Sequence, residues 1–285
     1  MTQCNFLVEP EWLETHLGDP TIRVIDTSVD IIPRPPGPSE YKSRYSQYLE
    51  KHIPGAAYLH MVDDLSDSKG AFPFALPPVE YLWQKLSALG IASGDTIVLY
   101  GNEVHWATHR CWWVLATAGA DVRVLNGNFS QWLNAERPTE SGQQYFDQSD
   151  FKGQFKDQWV SDKDDVIHSM DDESTALVNA LSAEQFVGRG QPFGRPGRIP
   201  GSISIPSAGF VDGKTGEFLP LETLAQLFEK AGANTYQHLI TYCGGGIAAS
   251  TSFFVLHLLG YTNVSLYDGS LLEWSADPSL PLLAD

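Results

Sequence analysis

At 285 residues the chain is long for one hydrophobic core and comfortable for two domains of about 140 residues each. Eighteen Lys and Arg against 35 Asp and Glu give a formal net charge of −17, which argues against nucleic acid or an anionic membrane surface as a partner. The three cysteines, Cys4, Cys111 and Cys243, are odd in number, widely spaced and without metal-site spacing, which fits a reducing compartment better than a disulfide framework. The N-terminus lacks a basic n-region and an apolar h-region, and no apolar run reaches ~18 residues, so a cytoplasmic protein with no membrane partner is expected.

Taken in order, the predicted elements occur twice. The first half offers Val24-Ile25-Asp26-Thr27, then His52-Ile53-Pro54-Gly55-Ala56, then Thr96 to Tyr100, then Val124 to Gly127 ending at Trp132. The second half offers Leu177-Val178-Asn179-Ala180, then Arg198-Ile199-Pro200-Gly201-Ser202, then Leu239 to Tyr242, then Leu266 to Gly269 ending at Trp274. The offset is 146 residues from His52 to Arg198 and 142 from both Tyr100 to Tyr242 and Trp132 to Trp274, the signature of a duplication. Helical patterns follow at Tyr81 to Leu89, Ala107 to Ala118, Leu221 to Ala231 and Ile247 to Leu259, each with a glycine one residue beyond it. Strands alternating with helices predict an α/β fold with a mainly parallel sheet, helices on both faces, in each copy. The expected division is 1–140 and 166–285, joined by a polar connector over 141–165 that Phe146, Phe151, Phe155 and Trp159 pin to the domain surfaces. Pro33 to Pro38 is stiff and cannot be helical, so it reads as a surface loop.

One loop carries chemistry. Leu239 to Tyr242 stops at Cys243, crosses Gly244, Gly245 and Gly246, and continues as a helix from Ile247 and Ala248. Such a strand-to-helix turn aims N–H groups at one point, and with the positive helix end these donors favour a thiolate, the nucleophilic form of cysteine. Ligands gather beyond the carboxyl ends of strands in open parallel sheets, which is where Cys243 falls.

The paired Ile-Pro-Gly elements, the strand ending Tyr-Cys-Gly-x-Gly and the closing Leu-Tyr-Asp-Gly-Ser-x-x-x-Trp together resemble the tandem-domain rhodanese family of sulfurtransferases, from about Glu9 to Asp285. The resemblance implies two rhodanese-like domains, of which the second carries the catalytic cysteine and the first is a silent copy. Aligning Tyr100 with Tyr242 puts Gly101 at the cysteine position, as that implies. The implied reaction has two steps: Cys243 takes sulfane sulfur from a small-molecule donor as a persulfide, and cyanide, a small thiol or a protein thiol removes it. Backbone N–H groups of Gly244, Gly245, Gly246, Ile247 and Ala248 would hold the anion, and no metal or organic cofactor is needed.

The chain also departs from that family. Thiosulfate-specific members usually have arginine or lysine after the cysteine, and mercaptopyruvate-specific members usually read Cys-Gly-Ser-Gly-Val-Thr; here the run is Gly-Gly-Gly-Ile-Ala. Many members carry Asp-x-Arg on the second domain's first strand, the arginine binding the donor, where this chain has Asn179-Ala180-Leu181. Lacking the loop hydroxyls, the chain favours thiosulfate slightly over 3-mercaptopyruvate. Arg189, Arg195 and Arg198, in a glycine-rich insertion, either compensate as donor-binding residues or form a solvated loop. His52 occupies a position that in the family can face the interdomain cleft, but Gly245 stands where its serine partner would be, so a turn-anchoring role is expected. His105, Trp106, Trp112 and Trp113 read as core or domain interface, and Cys111 among them as inert. A cysteine phosphatase needs an arginine six residues after the nucleophile, where Ala249 stands, which counts against phosphate chemistry. A non-catalytic persulfide carrier or scaffold remains the other alternative.

Overall fold

A computed structural model describes residues 6–34, 37–190 and 192–285. The first half contains β1 (Leu7–Val8), α1 (Pro10–Thr15), β2 (Ile22–Asp26), β3 (Val29–Ile32), β4 (Glu40–Ser43), α2 (Tyr45–Glu50), β5 (Ala57–Tyr58), α3 (Val79–Ala88), β6 (Thr96–Tyr100), α4 (His105–Thr117), β7 (Asp121–Leu125) and α5 (Phe129–Asn134). The second contains β8 (Val160–Ser161), α6 (Lys163–Ser169), β9 (Thr175–Asn179), α7 (Ala183–Phe186), β10 (Ser202–Ser204), α8 (Leu221–Lys230), β11 (His238–Tyr242), α9 (Ile247–Leu258), β12 (Val264–Tyr267) and α10 (Ser270–Trp274).

The two five-stranded sheets run β1-β7-β6-β2-β5 and β8-β12-β11-β9-β10, with every pairing in them parallel. Strand by strand the order is the same, which is the duplication read from the spacing. Covering both faces requires apolar residues at successive strand positions. In β6, Ile97 and Leu99 enter the large core with α3 and α4, while Val98 and Tyr100 enter a smaller one with Leu13, Tyr48 and Trp132 from α1, α2 and α5.

The repeated Ile-Pro-Gly element has a physical reason in both halves. Ile53 and Ile199 are fully buried, and their N–H groups donate to the hydroxyls of Tyr100 and Tyr242, each at 3.2 Å. Gly55 and Gly201 then turn with φ of 73° and 78°, which a residue with a Cβ rarely adopts. The tyrosine ending each site strand therefore ties it to the neighbouring turn.

The helices after the two site strands, α4 and α9, pack against each other and join the domains through one continuous core. Both are buried nearly all round, as helices between two domains are, and His109 and Arg110 of α4 find polar partners inside that interface. Trp112 meets Phe254 edge to face at 4.7 Å between centroids, and His109 Nδ1 lies 3.1 Å from the Thr251 hydroxyl. Trp112, Trp113 and Cys111 are fully buried here, as core or interface residues should be. The connector crosses the end of α4, where Gly119 and Gly153 permit backbone contact, and is held by buried Phe151 and Trp159 and half-buried Phe146. Phe155 is exposed and is not part of that core. An antiparallel β3–β4 hairpin, absent from the sequence reading, flanks the proline-rich run, of which residues 35–36 lie outside the described part.

Candidate active site

Cys243 lies immediately after β11, only 2% exposed, at the base of a cavity of about 260 Å³ between the domains. Its loop is stitched down by the turn between β12 and α10. The Ser270 hydroxyl accepts from the N–H groups of Cys243 (3.2 Å) and Gly246 (3.1 Å) and donates to the Tyr267 carbonyl (2.9 Å), while Leu271 and Leu272 donate to the carbonyls of Cys243 and Gly244. Ser270 holds this position with φ of 48°, an uncommon conformation for a residue with a side chain. The expected five-donor cradle is thereby reduced: the Gly246 N–H is committed to Ser270, leaving those of Gly244, Gly245, Ile247 and Ala248 as the candidates to hold an anion.

Each glycine after Cys243 has its own packing requirement. A Cβ on Gly244 would lie 2.2 Å from the Phe193 ring, and one on Gly245 would lie 2.8 Å from Leu272 and 3.3 Å from Phe74. Gly246 has φ of 78°, and a Cβ there would lie 2.9 Å from Arg110 Nη1 and 3.0 Å from the Asp268 carbonyl. The space beside Gly245, the family's serine position, is thus taken by apolar side chains from both domains.

Arg110 was missed as a site residue in the sequence because it sits inside an aromatic run. It reaches from α4 of the first domain to the Cys243 loop of the second and is completely buried. Its Nη2 lies 2.7 Å from Asp268 Oδ1 and donates to the Phe74 carbonyl at 2.5 Å, and its guanidinium stacks 4.6 Å from the Trp113 ring. Asp268 Oδ2 in turn accepts from the Leu76 N–H at 2.8 Å. This ion pair clamps residues 74–76 of the first domain over the second domain's loop. It also holds Phe74 at φ of 66°, a strained value for a bulky residue, with its ring beside Gly245.

The cavity above the thiol is walled by Ile31, Tyr41, Phe74 and Trp106 of the first domain and Leu181, Phe193 and Leu272 of the second. Burial, and the charge of Cys243 after it, push the Tyr41 phenol well above its ordinary range, so its hydroxyl stays protonated. Trp106 does lie between the domains, as read, but in the wall of the site. A signal for Phe193 existed in its place within the glycine-rich insertion; Phe74 and Tyr41 gave none.

The basic residues proposed for donor binding are placed elsewhere. Arg195 turns away to donate to the carbonyls of Ser275, Asp277 and Leu280 at 2.6 to 3.0 Å, locking the C-terminal segment. Arg198 pairs with Asp285 at 3.0 Å and stacks on Phe186. Arg189 is exposed and, like the other two, does not line the cavity. Three backbone carbonyls hold Arg195 and the Asp285 side-chain carboxylate holds Arg198, so the first of the two readings, compensation as donor-binding residues, is not supported by their geometry. Gln191 of the same insertion and Cys4 lie outside the described residues. His52 is fully buried, with Nδ1 2.7 Å from the Tyr48 carbonyl and its ring stacked on Tyr48, and its backbone pairs with Glu140. That is the turn-anchoring role, inside the first domain rather than at the cavity.

The equivalent turn of the first domain is closed and has Gly101 in place of a thiol. A Cβ on Gly101 would lie 2.3 Å from Thr108 Oγ1, which the Thr27 hydroxyl meets at 3.0 Å. Among the described residues no cluster of His, Cys, Asp and Glu suited to a metal ion is present, and no helix is long and apolar enough to cross a membrane.

Comparison with known proteins places this geometry in context. A 3-mercaptopyruvate sulfurtransferase of Escherichia coli is 29% identical over 282 residues, covering 98% of both chains. A thiosulfate/3-mercaptopyruvate sulfurtransferase of Arabidopsis thaliana is 30% identical over 302 residues, covering 97% of this chain and 86% of its own. The crystal structure of the Escherichia coli 3-mercaptopyruvate sulfotransferase superposes with a TM-score of 0.79 at 25% identity, over 93% of this chain and 98% of the other. The model of the rhodanese-like domain matches twice, over residues 9–135 and 162–277, and the chain belongs to that family as a tandem pair of rhodanese-like domains.

Proposed function

We propose that this sulfurtransferase moves sulfane sulfur from a donor such as thiosulfate to a thiophilic acceptor, cyanide or a thiol, through a persulfide on Cys243. The observation that carries the reading is a nearly buried thiol at the strand end, facing a small interdomain cavity and followed by the N-terminus of α9. The thiolate attacks the donor's outer sulfur, the donor's S–S bond breaks, and its electron pair leaves with the remainder of the donor. The second nucleophile then takes the outer sulfur and releases the thiolate, a ping-pong cycle. Free N–H groups at Gly244, Gly245, Ile247 and Ala248 suit the negative charge that both forms of Cys243 carry. This chemistry calls on no metal or organic cofactor.

A 3-mercaptopyruvate donor is the second reading, favoured by the activity named for the Escherichia coli relative. The chain lacks the loop hydroxyls for it, since Gly245 and Ala248 stand at those positions. Thiocyanate formation from each donor and cyanide tests the assignment. Turnover is expected with the native chain and none with Cys243→Ser; absence of turnover with every donor, while Cys243 still accepts sulfur, would mean a carrier.

A further inference from the structure

We infer that the preferred donor is a monoanion whose terminal sulfane sulfur is attached to an apolar body, an organic thiosulfonate being the simplest such molecule, rather than an inorganic dianion. The inference rests on the sulfur-transfer reading of Cys243, keeps thiosulfate as a weaker donor, and names the substrate class that the site prefers.

Three observations meet in one cavity. Its walls are mainly apolar, with Ile31, Phe74, Trp106, Leu181 and Phe193 beside Tyr41; Ser39 and Gln185 add uncharged polar groups, and among the described residues no Lys, Arg, His, Asp or Glu lines it. The three arginines of the insertion are turned to other partners or to solvent, and Arg110, the cation nearest the loop, is buried against Asp268. The two places where a polar substrate contact would be sought are filled with hydrocarbon: Leu181 stands in the wall two residues after Asn179, and Leu272 with Phe74 covers Gly245. A doubly charged donor entering this space would shed its water without meeting a cation, which is unfavourable. A single charge is matched by the free loop N–H groups and the end of α9, and an apolar body displaces water from the aromatic walls. The volume of about 260 Å³ sits just under the range for drug-sized ligands, about 300 to 1,000 Å³, and suits one substituted ring.

The step balances without a further reagent. The Cys243 thiolate attacks the terminal sulfur of R–SO₂–S⁻, the S–S bond breaks, its electron pair leaves on the sulfinate R–SO₂⁻, and Cys243 holds the persulfide. Two anions enter, two leave, and no proton moves.

The test compares benzenethiosulfonate, methanethiosulfonate and thiosulfate as donors, with cyanide as acceptor and thiocyanate as readout. The expected order of kcat/KM is benzenethiosulfonate over methanethiosulfonate by about tenfold or more, expressed mainly in KM, with thiosulfate lowest. Trp106→Ala and Phe193→Ala should each lower the ratio of aryl to methyl donor by about tenfold, as the body loses one wall. A thiosulfate kcat/KM equal to or above that of the aryl donor, or an aryl-to-methyl ratio unmoved by both substitutions, overturns the inference. Failure of all three donors to place sulfur on Cys243 would instead strike the sulfur-transfer reading itself.

Discussion

At the scale of single residues, the shape of the site depends on three beside the thiol, Gly246, Arg110 and Asp268. Gly246 combines φ of 78° with Arg110 and Asp268 packed where a Cβ would go. Gly246→Ala is therefore expected to cost more than the ~1 kcal/mol of an unfavourable φ alone and to depress turnover, because the loop must shift. Near-native turnover and stability would show that the loop tolerates the shift. Arg110 and Asp268 form a buried ion pair, and removing one partner strands the other's charge. Arg110→Met is expected to destabilise by roughly 3 to 5 kcal/mol, and the double variant Arg110→Met with Asp268→Leu by less, since no lone charge remains. Equilibrium denaturation in a double-mutant cycle measures this, and additive losses would contradict the pairing. Cys243 was legible from sequence because strand, thiol and glycines are contiguous. Arg110 was not: its partners Phe74, Trp113 and Asp268 are brought together only by the domain interface, and nothing local marks it among the aromatics. Arg195 misled for a related reason, since charge count in an acidic chain says nothing about which carbonyls lie within reach.

At the scale of elements, the duplicated strand–turn–helix carries a thiol beside a cavity in one copy and a closed glycine turn in the other. The strand ends, the tyrosine hydroxyl that caps the Ile-Pro-Gly turn and the following helix recur in both halves. The difference lies in a few side chains: Thr27 and Thr108 fill the space over Gly101. Gly101→Cys is accordingly expected to give a protein of lower stability that still takes up one sulfur per chain, as measured by intact mass. Uptake of a second sulfur that a Gly101→Ser control lacks would contradict the closed pocket. These elements were readable because periodicity, glycine caps and the internal repeat agree with one another. The β3–β4 hairpin was not, since its strands flank the proline-rich run and alternate too weakly to stand out.

For the whole molecule, α4 and α9 fuse the domains through a core that includes histidines. Burial lowers the pKa of His105 and His257 to about 4 and puts that of His109 well below its ordinary value of 6.5, His105's charge adding to the last. The unfolded chain binds these protons below about pH 6.5 while the folded chain does not, so stability falls as pH drops from about 6.5, and the part due to His105 and His257 levels off near 4. Each of His105 and His257 contributes on the order of 3 kcal/mol to that loss at most, and the buried Asp26 carboxyl, raised by burial, opposes it. Urea midpoints at several pH values should show the slope, and His257→Phe should flatten it; a flat profile from pH 7 to 5 would contradict neutral histidines in this core. The same interface carries the cavity, because Tyr41, Phe74 and Trp106 come from the first domain and the thiol from the second. Two-domain architecture was legible from spacing, whereas the identity of the cavity wall depended on how the copies face each other. The most direct test of the whole account is the intact mass of the native chain after exposure to a sulfane donor and removal of excess reagent. A gain of one sulfur atom, discharged by cyanide and absent from Cys243→Ser, is the predicted result. Sulfur retained by that variant, or no sulfur gained by the native chain from any donor, would contradict transfer through Cys243.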